Sequence, residues 1–291
     1  AVRAFVPWPR DLAICRRTDP SPPAEEVADA LASGEILPWF QPQIDAATGA
    51  VTGFEALARW QHPDLGLLAP NRFLDAVAEA GRIEALGHAM RRGALEALAH
   101  WDAAGAPGLT VSVNAAVEEL RSPTFAEQVA WDLDLHDTAP ERLIVEVLET
   151  VAASTQDDSI VTTLAAMRGQ GIGIDLDDFG VGQASLLSIR RFGVRRIKID
   201  RSFVLGVDVD DGQRSMVGAI VSLAREMGLS TLAEGVETDS QREALSDLGC
   251  AYLQGFAIGR PMPLSDTLDW LAAGRQLMLD GPDRAALRPA Q

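Results

Sequence analysis

The apolar positions of the chain follow two alternating rhythms. Short runs rich in Val, Ile and Leu alternate with longer stretches in which apolar residues recur every three or four positions. The short runs predict strands at Leu37 to Asp45, Val51 to Trp60, Leu109 to Asn114, Leu143 to Leu148, Ile172 to Asp178, Arg195 to Asp200, Ser230 to Glu234 and Ala251 to Phe256. The longer stretches predict helices over 24–33, 71–80, 83–104, 124–133, 157–170, 215–227 and 240–248. Only Ala46-Ala47-Thr48-Gly49-Ala50 joins the first two strands, too little for a crossover helix, so they are expected to form an antiparallel hairpin. Later strands are separated by helical stretches, which implies parallel pairing. Eight strands, mostly parallel, in a domain of roughly 250 residues suggest an α/β fold: a modified TIM (β/α)8 barrel with an antiparallel first strand. An open doubly wound sheet is the competing topology. Residues 1–24 end in the breaker-rich Thr18-Asp19-Pro20-Ser21-Pro22-Pro23 and read as a linker or the remnant of an upstream region. Residues 25–275 read as the folded domain and 276–291 as a tail.

Strands buried on both faces should be near-continuous apolar runs. Seven of these are interrupted, mostly toward their C-terminal ends. Glu55 and Arg59 share one face of the second strand, Asn114 ends the third, and Glu146 lies within the fourth. Asp177 and Asp178 end the fifth, Lys198 lies in the sixth, Glu234 ends the seventh with Glu237 just beyond, and Gln254 lies in the eighth. One polar strand end meeting water needs no explanation, but seven together do. In a closed barrel all these ends open onto one mouth, where active sites sit. Glu55, Asn114, Glu146, Asp177, Asp178, Lys198, Glu234 and Gln254 should then converge.

Charge sharpens the picture. With 25 Lys+Arg against 42 Asp+Glu, the 291 residues carry a net charge of -17, which excludes a DNA or RNA polymer as the default partner. Lys198 is the only lysine beside 24 arginines. It marks a place where a compact point charge serves and a broad guanidinium does not. Five carboxylates meeting at one mouth cannot all ionise uncompensated, and Lys198 supplies one positive charge where two divalent cations would supply four. Carboxylates and an amide oxygen are hard ligands that suit Mg²⁺ or Mn²⁺, and no His or Cys in the set suits zinc. These residues point to a metal-dependent phosphohydrolase that clamps both oxygens of an in-line displacement.

The other chemistry-bearing residues are read more plainly. His62 reads as a loop or packing residue, and His88, His100 and His136 as surface or cap groups. Trp101 and Trp131 are expected to pack the barrel's helical shell, and Cys250 to be a small core residue. Asp175 shares the parity of Asp177 one layer deeper, and Asp200 is similar. Cys15 and Cys250 are too few for a disulfide scaffold, so a reducing, cytoplasmic setting is expected. No apolar run approaches the roughly 18 residues of a membrane span. No signal peptide is visible and the first residue is Ala, so the chain is read as a piece of a longer protein.

The order and spacing of these blocks resemble the EAL-domain family of cyclic di-GMP phosphodiesterases. The resemblance runs through Phe40-Gln41-Pro42, Glu55-Ala56-Leu57-Ala58-Arg59-Trp60, Ser112-Val113-Asn114 and Glu146-Val147-Leu148-Glu149. It continues through Asp177-Asp178-Phe179-Gly180, Lys198-Ile199-Asp200, Ala233-Glu234-Gly235-Val236-Glu237-Thr238 and Gln254-Gly255-Phe256. It implies that Glu55, Asn114, Glu146 and Asp177 hold one metal, and Asp177, Asp178 and Glu234 a second. Lys198, Glu234, Glu237 and Glu149 are the catalytic set it implies, with Lys198 beside the attacking water and Glu149 propping the loop Phe179 to Ser185. Leu57, Arg59 and Gln254 are implied to bind or position substrate. The implied reaction is hydrolysis of cyclic di-GMP to linear pGpG with two Mg²⁺ or Mn²⁺ ions, in a homodimer under an upstream sensor. The rival expectation is a catalytically silent cyclic di-GMP receptor. The chain departs from the family at Leu148, where Thr is usual, and at Val181-Gly182-Gln183-Ala184, where Thr-Gly-Tyr-Ser is usual.

Overall fold

The structure is a computed structural model that describes residues 21–153, 158–182 and 186–279. Its frame is set by the hairpin that opens the domain. Ile36–Asp45 (β1) and Val51–His62 (β2) pair antiparallel, with Gln41 opposite Glu55. The remaining strands are Gly66–Leu68 (β3), Thr110–Asn114 (β4), Leu143–Leu148 (β5), Gly173–Phe179 (β6), Arg196–Ile199 (β7), Ser230–Ala233 (β8) and Tyr252–Gln254 (β9). From β2 through β4 to β9 every neighbour is parallel, and β1 closes the ring by pairing antiparallel with both β2 and β9. The expected barrel with a reversed first strand is therefore what forms. β3 was not anticipated. It is a three-residue return on β2 outside the ring, too short to show a period.

Closure is economical. Only Gln43, Ile44 and Asp45 pair with β9. Beyond them the segment at Met262 takes over: the Phe40 N–H donates to the Met262 carbonyl at 2.7 Å, and the Met262 N–H donates back at 3.0 Å. Pro42, which has no N–H to donate, falls in the gap between the two pairings.

The period of two along each strand separates two interiors. Phe54, Val111, Val113, Val145, Val147, Ile174, Leu176 and Ile197 face outward and bury themselves under the helices. There Trp101, on the helix Ile83–Ala103, is fully buried, stacks on Phe54 at 4.5 Å and meets Phe40 edge-on at 5.3 Å. The residues of opposite parity fill the barrel itself, and many are polar: Gln41, Gln43, Glu55, Ser112, Glu146, Asp175, Asp177, Arg196, Lys198 and Gln254 are all buried. The barrel interior is thus a hydrogen-bonded column sheathed by an apolar shell.

Trp131 corrects one expectation. It is 70% exposed on the helix Phe125–Leu135, because Phe125, Val129 and Leu133 take the inner face and position 131 lies about 200° from 129. Several short helices, including Glu149–Ala153, Leu186–Phe192 and Arg201–Val204, escaped the periodicity reading because two turns or fewer show no stripe. The final helix, Leu264–Leu279, was also missed and extends into the stretch expected to be tail. The expectations for residues 1–20 and 280–291 lie outside the described residues.

One ionic cluster ties the helical shell together. Arg91 donates from Nε to Asp132 Oδ2 at 2.6 Å and from Nη1 to Glu119 Oε1 at 3.4 Å, while Glu119 Oε2 accepts the Ala116 N–H at 3.1 Å. Burial pushes the Glu119 carboxyl up to about 7, against the opposing pull of Ala116 and Arg91. A carboxyl whose folded value lies above its ordinary 4.5 contributes stability at low pH that is lost as pH rises through 7. Glu119→Gln should therefore flatten the fall of Tm between pH 5 and 8. Parallel wild-type and variant Tm curves in scanning calorimetry would contradict this.

Candidate active site

The rim is built by strand register. β2 brings Glu55 opposite Ser112 of β4, Asn114 of β4 lies opposite Glu146 of β5, and Leu148 of β5 lies opposite Asp177 of β6. A straight strand would send Asp177 inward and Asp178 outward. Against β7 the register slips: Leu176 pairs with Ile197 but Phe179 with Ile199, so β6 carries one extra residue. Asp178 takes it up with φ +55, a left-handed conformation that Asp tolerates better than most side chains. The bulge lets consecutive carboxylates serve one site. One oxygen each of Asp177, Asp178 and Glu234 lie within 4.8 Å of one another.

Lys198 is the hub. Its fully buried Nζ lies 2.7 Å from Glu146 Oε2, 2.7 Å from Glu234 Oε1, 3.0 Å from Asp177 Oδ1 and 3.5 Å from Glu55 Oε2. Glu55 has two further donors: Gln254 Nε2 donates to the same Oε2 at 2.5 Å and Asn114 Nδ2 donates to Oε1 at 3.2 Å. Every residue expected to hold metal is therefore present in one cluster, together with Lys198 and Gln254.

The electrostatics follow from burial. Burial alone would raise the Glu55 carboxyl, but Lys198 and the hydrogen bonds from Gln254 and Asn114 outweigh it and hold Glu55 below its ordinary range. Burial pushes Glu146 and Glu234 well up, with neighbouring carboxylates adding to the rise against the pull of Lys198. Asp177 is also raised by burial, and Asp178 is pushed up to about 8 by burial and then by Asp177. Burial works against the Lys198 ammonium, yet the surrounding carboxylates hold it well above its ordinary value. One ammonium does not compensate this much acid, so the site retains protons at neutral pH.

Such a site suits divalent cations. Its donors are hard oxygens, and the buried Glu146 Oε1 has no hydrogen-bond partner among the described residues. A bound cation replaces those protons. Because Asp178 titrates near 8 instead of its ordinary 3.8, the stability of the metal-free protein falls as pH climbs through that value, and a cation restores it there. Mn²⁺ should raise Tm more at pH 8 than at pH 5. Its binding near pH 7 should also release protons, read as a buffer-dependent enthalpy in titration calorimetry. Identical enthalpies in buffers of different ionisation heat would refute this.

The other expected site residues surround the cluster without joining it. Glu149 is buried and its Oε2 accepts the Gly180 and Gly182 N–H groups, each at 2.8 Å, so it holds the start of the loop after β6. A Cβ on Gly182 would lie 2.8 Å from the Glu149 carboxyl carbon, which is why glycine stands there. Glu237 pairs with Arg201 at 2.6 Å on a partly exposed surface. Leu57 and Arg59 share the face of Glu55; both are buried, and the Arg59 guanidinium donates to the Ala58 carbonyl at 2.9 Å. Leu148 is buried, Val181 is exposed, and Gln183 and Ala184 lie outside the described residues. Asp200 caps the helix Arg201–Val204, and His62 is held by Glu26 at 2.9 Å, away from the rim. Gln43 and Arg196 were overlooked. Their signal was a pair of amides at period two in β1, Gln41 and Gln43, and an arginine two residues before Lys198.

A closed eight-stranded barrel with a lysine-centred acidic rim at the C-terminal ends of its strands defines the class of an α/β-barrel domain with a carboxylate cation site. The EAL domain family model matches residues 24–261, and the chain belongs to that family. It is 36% identical over 243 residues to the bifunctional diguanylate cyclase/cyclic di-GMP phosphodiesterase MucR of Pseudomonas aeruginosa, covering 84% of this chain and 35% of MucR. It is 32% identical over 249 residues to the cyclic di-GMP phosphodiesterase RocR of the same organism, covering 86% of this chain and 63% of RocR. A solved structure described as PaMucR Phosphodiesterase, c-di-GMP complex, superposes with a TM-score of 0.78 at 35% identity, covering 84% of this chain and 98% of that one. The chain spans 30–35% of the length of MucR and two further curated relatives.

Proposed function

We propose that this domain hydrolyses one phosphodiester of cyclic di-GMP to give linear pGpG, using two Mg²⁺ or Mn²⁺ ions. The observation that carries the reading is the Lys198 cluster, in which carboxylates from four separate segments converge on one buried ammonium and leave a buried Glu146 oxygen unpaired. Glu55, Asn114, Glu146 and Asp177 would hold one ion, and Asp177, Asp178 and Glu234 the other. Bound there, divalent ions would supply Lewis acidity toward phosphate oxygens and lower the pKa of a coordinated water. The chain's own groups do the rest. Lys198 keeps the carboxylates gathered and presents positive charge to the scissile phosphate. Glu149 fixes the loop beside Asp178. Arg59, aligned with Glu55 along β2, supplies a guanidinium for the second phosphate, with Leu57 and Gln254 positioning the nucleotide and Glu237 acting from the rim. The reported names of MucR and RocR support the substrate.

The same reading places the domain in the cytoplasm, as part of a longer protein with an upstream sensor; among the described residues no helix is long and apolar enough to cross a membrane. It pairs two barrels, supported by the exposed Val181 in the loop after β6 and the exposed Leu187 on the helix that follows.

The test is direct. Purified protein incubated with cyclic di-GMP and Mn²⁺ should yield pGpG by chromatography, and Glu55→Ala, which removes a proposed metal ligand, should abolish metal-dependent turnover. Lys198→Arg should fold normally yet lose most activity, because a planar guanidinium cannot replace the ammonium among these carboxylates. Tight nucleotide binding without product, with either ion, would establish the receptor reading instead.

A further inference from the structure

A continuous polar chain spans the barrel beneath the rim. Arg196 Nε donates to Asp175 Oδ2 at 2.6 Å, and Arg196 Nη2 donates to Gln43 Oε1 at 3.1 Å. Gln43 Nε2 donates to Gln254 Oε1 at 2.9 Å, and Gln254 Nε2 donates to Glu55 Oε2 at 2.5 Å. All five side chains are buried, Asp175 and Glu55 completely. Side contacts agree with this direction: Gln43 Nε2 also reaches Ser112 Oγ at 3.4 Å, and Gln254 Nε2 also donates to Gln41 Oε1 at 3.2 Å.

The polarity of every link is forced by its ends. A guanidinium has donors only, and a carboxylate has acceptors only. The Gln43 oxygen must face Arg196, so its NH₂ faces Gln254. The Gln254 oxygen then faces Gln43, which leaves its NH₂ for Glu55. Turning either amide over would set like groups against each other without water to relieve them. Arg196 is itself clamped, by Asp175 on one side and by the Tyr252 ring 5.2 Å from its Cζ.

We propose that Asp175, Arg196 and Gln43 are positioning residues for the cation site: Arg196 sets the polarity of the chain, and Gln43 transmits it, so that Gln254 always presents a donor to Glu55. None of the three reaches the rim. The inference rests on the proposed cation-dependent reading of the rim. It explains why a carboxylate and an arginine sit deep in a barrel where an aliphatic pair would pack as well.

Gln43→Met keeps the shape of the side chain and removes the relay. Mn²⁺ affinity, measured by titration calorimetry without nucleotide, should fall at least about 10-fold, the range seen when partners of metal ligands are removed. Tm should stay within a few degrees of wild type. The double variant Asp175→Leu/Arg196→Leu removes the buried pair together, leaving only the half-exposed Arg195 without its 3.5 Å contact to Asp175, and should lose the same affinity; it decides the matter if Gln43→Met fails to fold. A folded variant with wild-type Mn²⁺ affinity and an unchanged KM for cyclic di-GMP overturns the relay. Wild-type protein that binds Mn²⁺ but yields no pGpG overturns the proposed reaction and leaves the relay standing.

Discussion

The acidic rim depends on one buried ammonium. Lys198 has no contact with solvent and is surrounded by Glu55, Glu146, Asp177 and Glu234 at 2.7–3.5 Å. Isolated in an apolar barrel, any of these charges would be expelled or neutralised. Together they are tolerable only while their spacing is held, because an ångström of drift turns compensation into desolvated repulsion. That tolerance is set by the register of β2, β5, β6, β7 and β8. The excess of acid over the single ammonium is what makes the cluster a cation site and not merely a salt bridge.

Two local departures from ideal geometry make the cluster possible. The reversed β1 lets a short turn bring Gln41 and Gln43 alongside β2 and β9, so that amides line the seam where the barrel closes. The bulge in β6 turns Asp178 beside Asp177. A left-handed Asp costs about 1–2 kcal/mol, and it sits at the site, where such strain is tolerated. Gly180, at φ +105 with the Phe203 ring where a Cβ would be, lets the chain leave the strand immediately afterwards.

Much of this was legible in the sequence because its cause is local. Parity in a strand is exact, so polar residues at strand ends announced a shared rim, and the five-residue connection between the first two strands fixed their antiparallel sense. What was not legible is long-range or no more than two turns long. β3 and the short helices have too few residues to show a period. Trp131 has the composition of a core residue but the wrong angle on its helix, which only the helix's docking reveals. Asp178 was expected at the rim beside Asp177, but strict alternation gives two consecutive residues opposite faces; the bulge that reconciles the two appears only in the pairing with β7. Arg196 was overlooked because its partners, Asp175 and Gln43, lie 21 and 153 residues away.

The two buried cations of β7 show why residue choice here is geometric. Arg196 and Lys198 stand two positions apart on one strand, both facing the barrel interior, in a chain otherwise free of lysine. At 196 the partners are a carboxylate, an amide oxygen and an aromatic face. Two of these lie where a planar fork donates edge-on, and the third lies where its face stacks. At 198 the closest partners are three carboxylate oxygens from three different segments at 2.7–3.0 Å. That arrangement suits three N–H donors fanning from one point on a flexible stem, and a guanidinium would push the carboxylates apart. A strong bias toward arginine elsewhere therefore stops at the one position whose neighbours converge on a point, and the same convergence draws the acidic rim tight enough to serve small, hard cations.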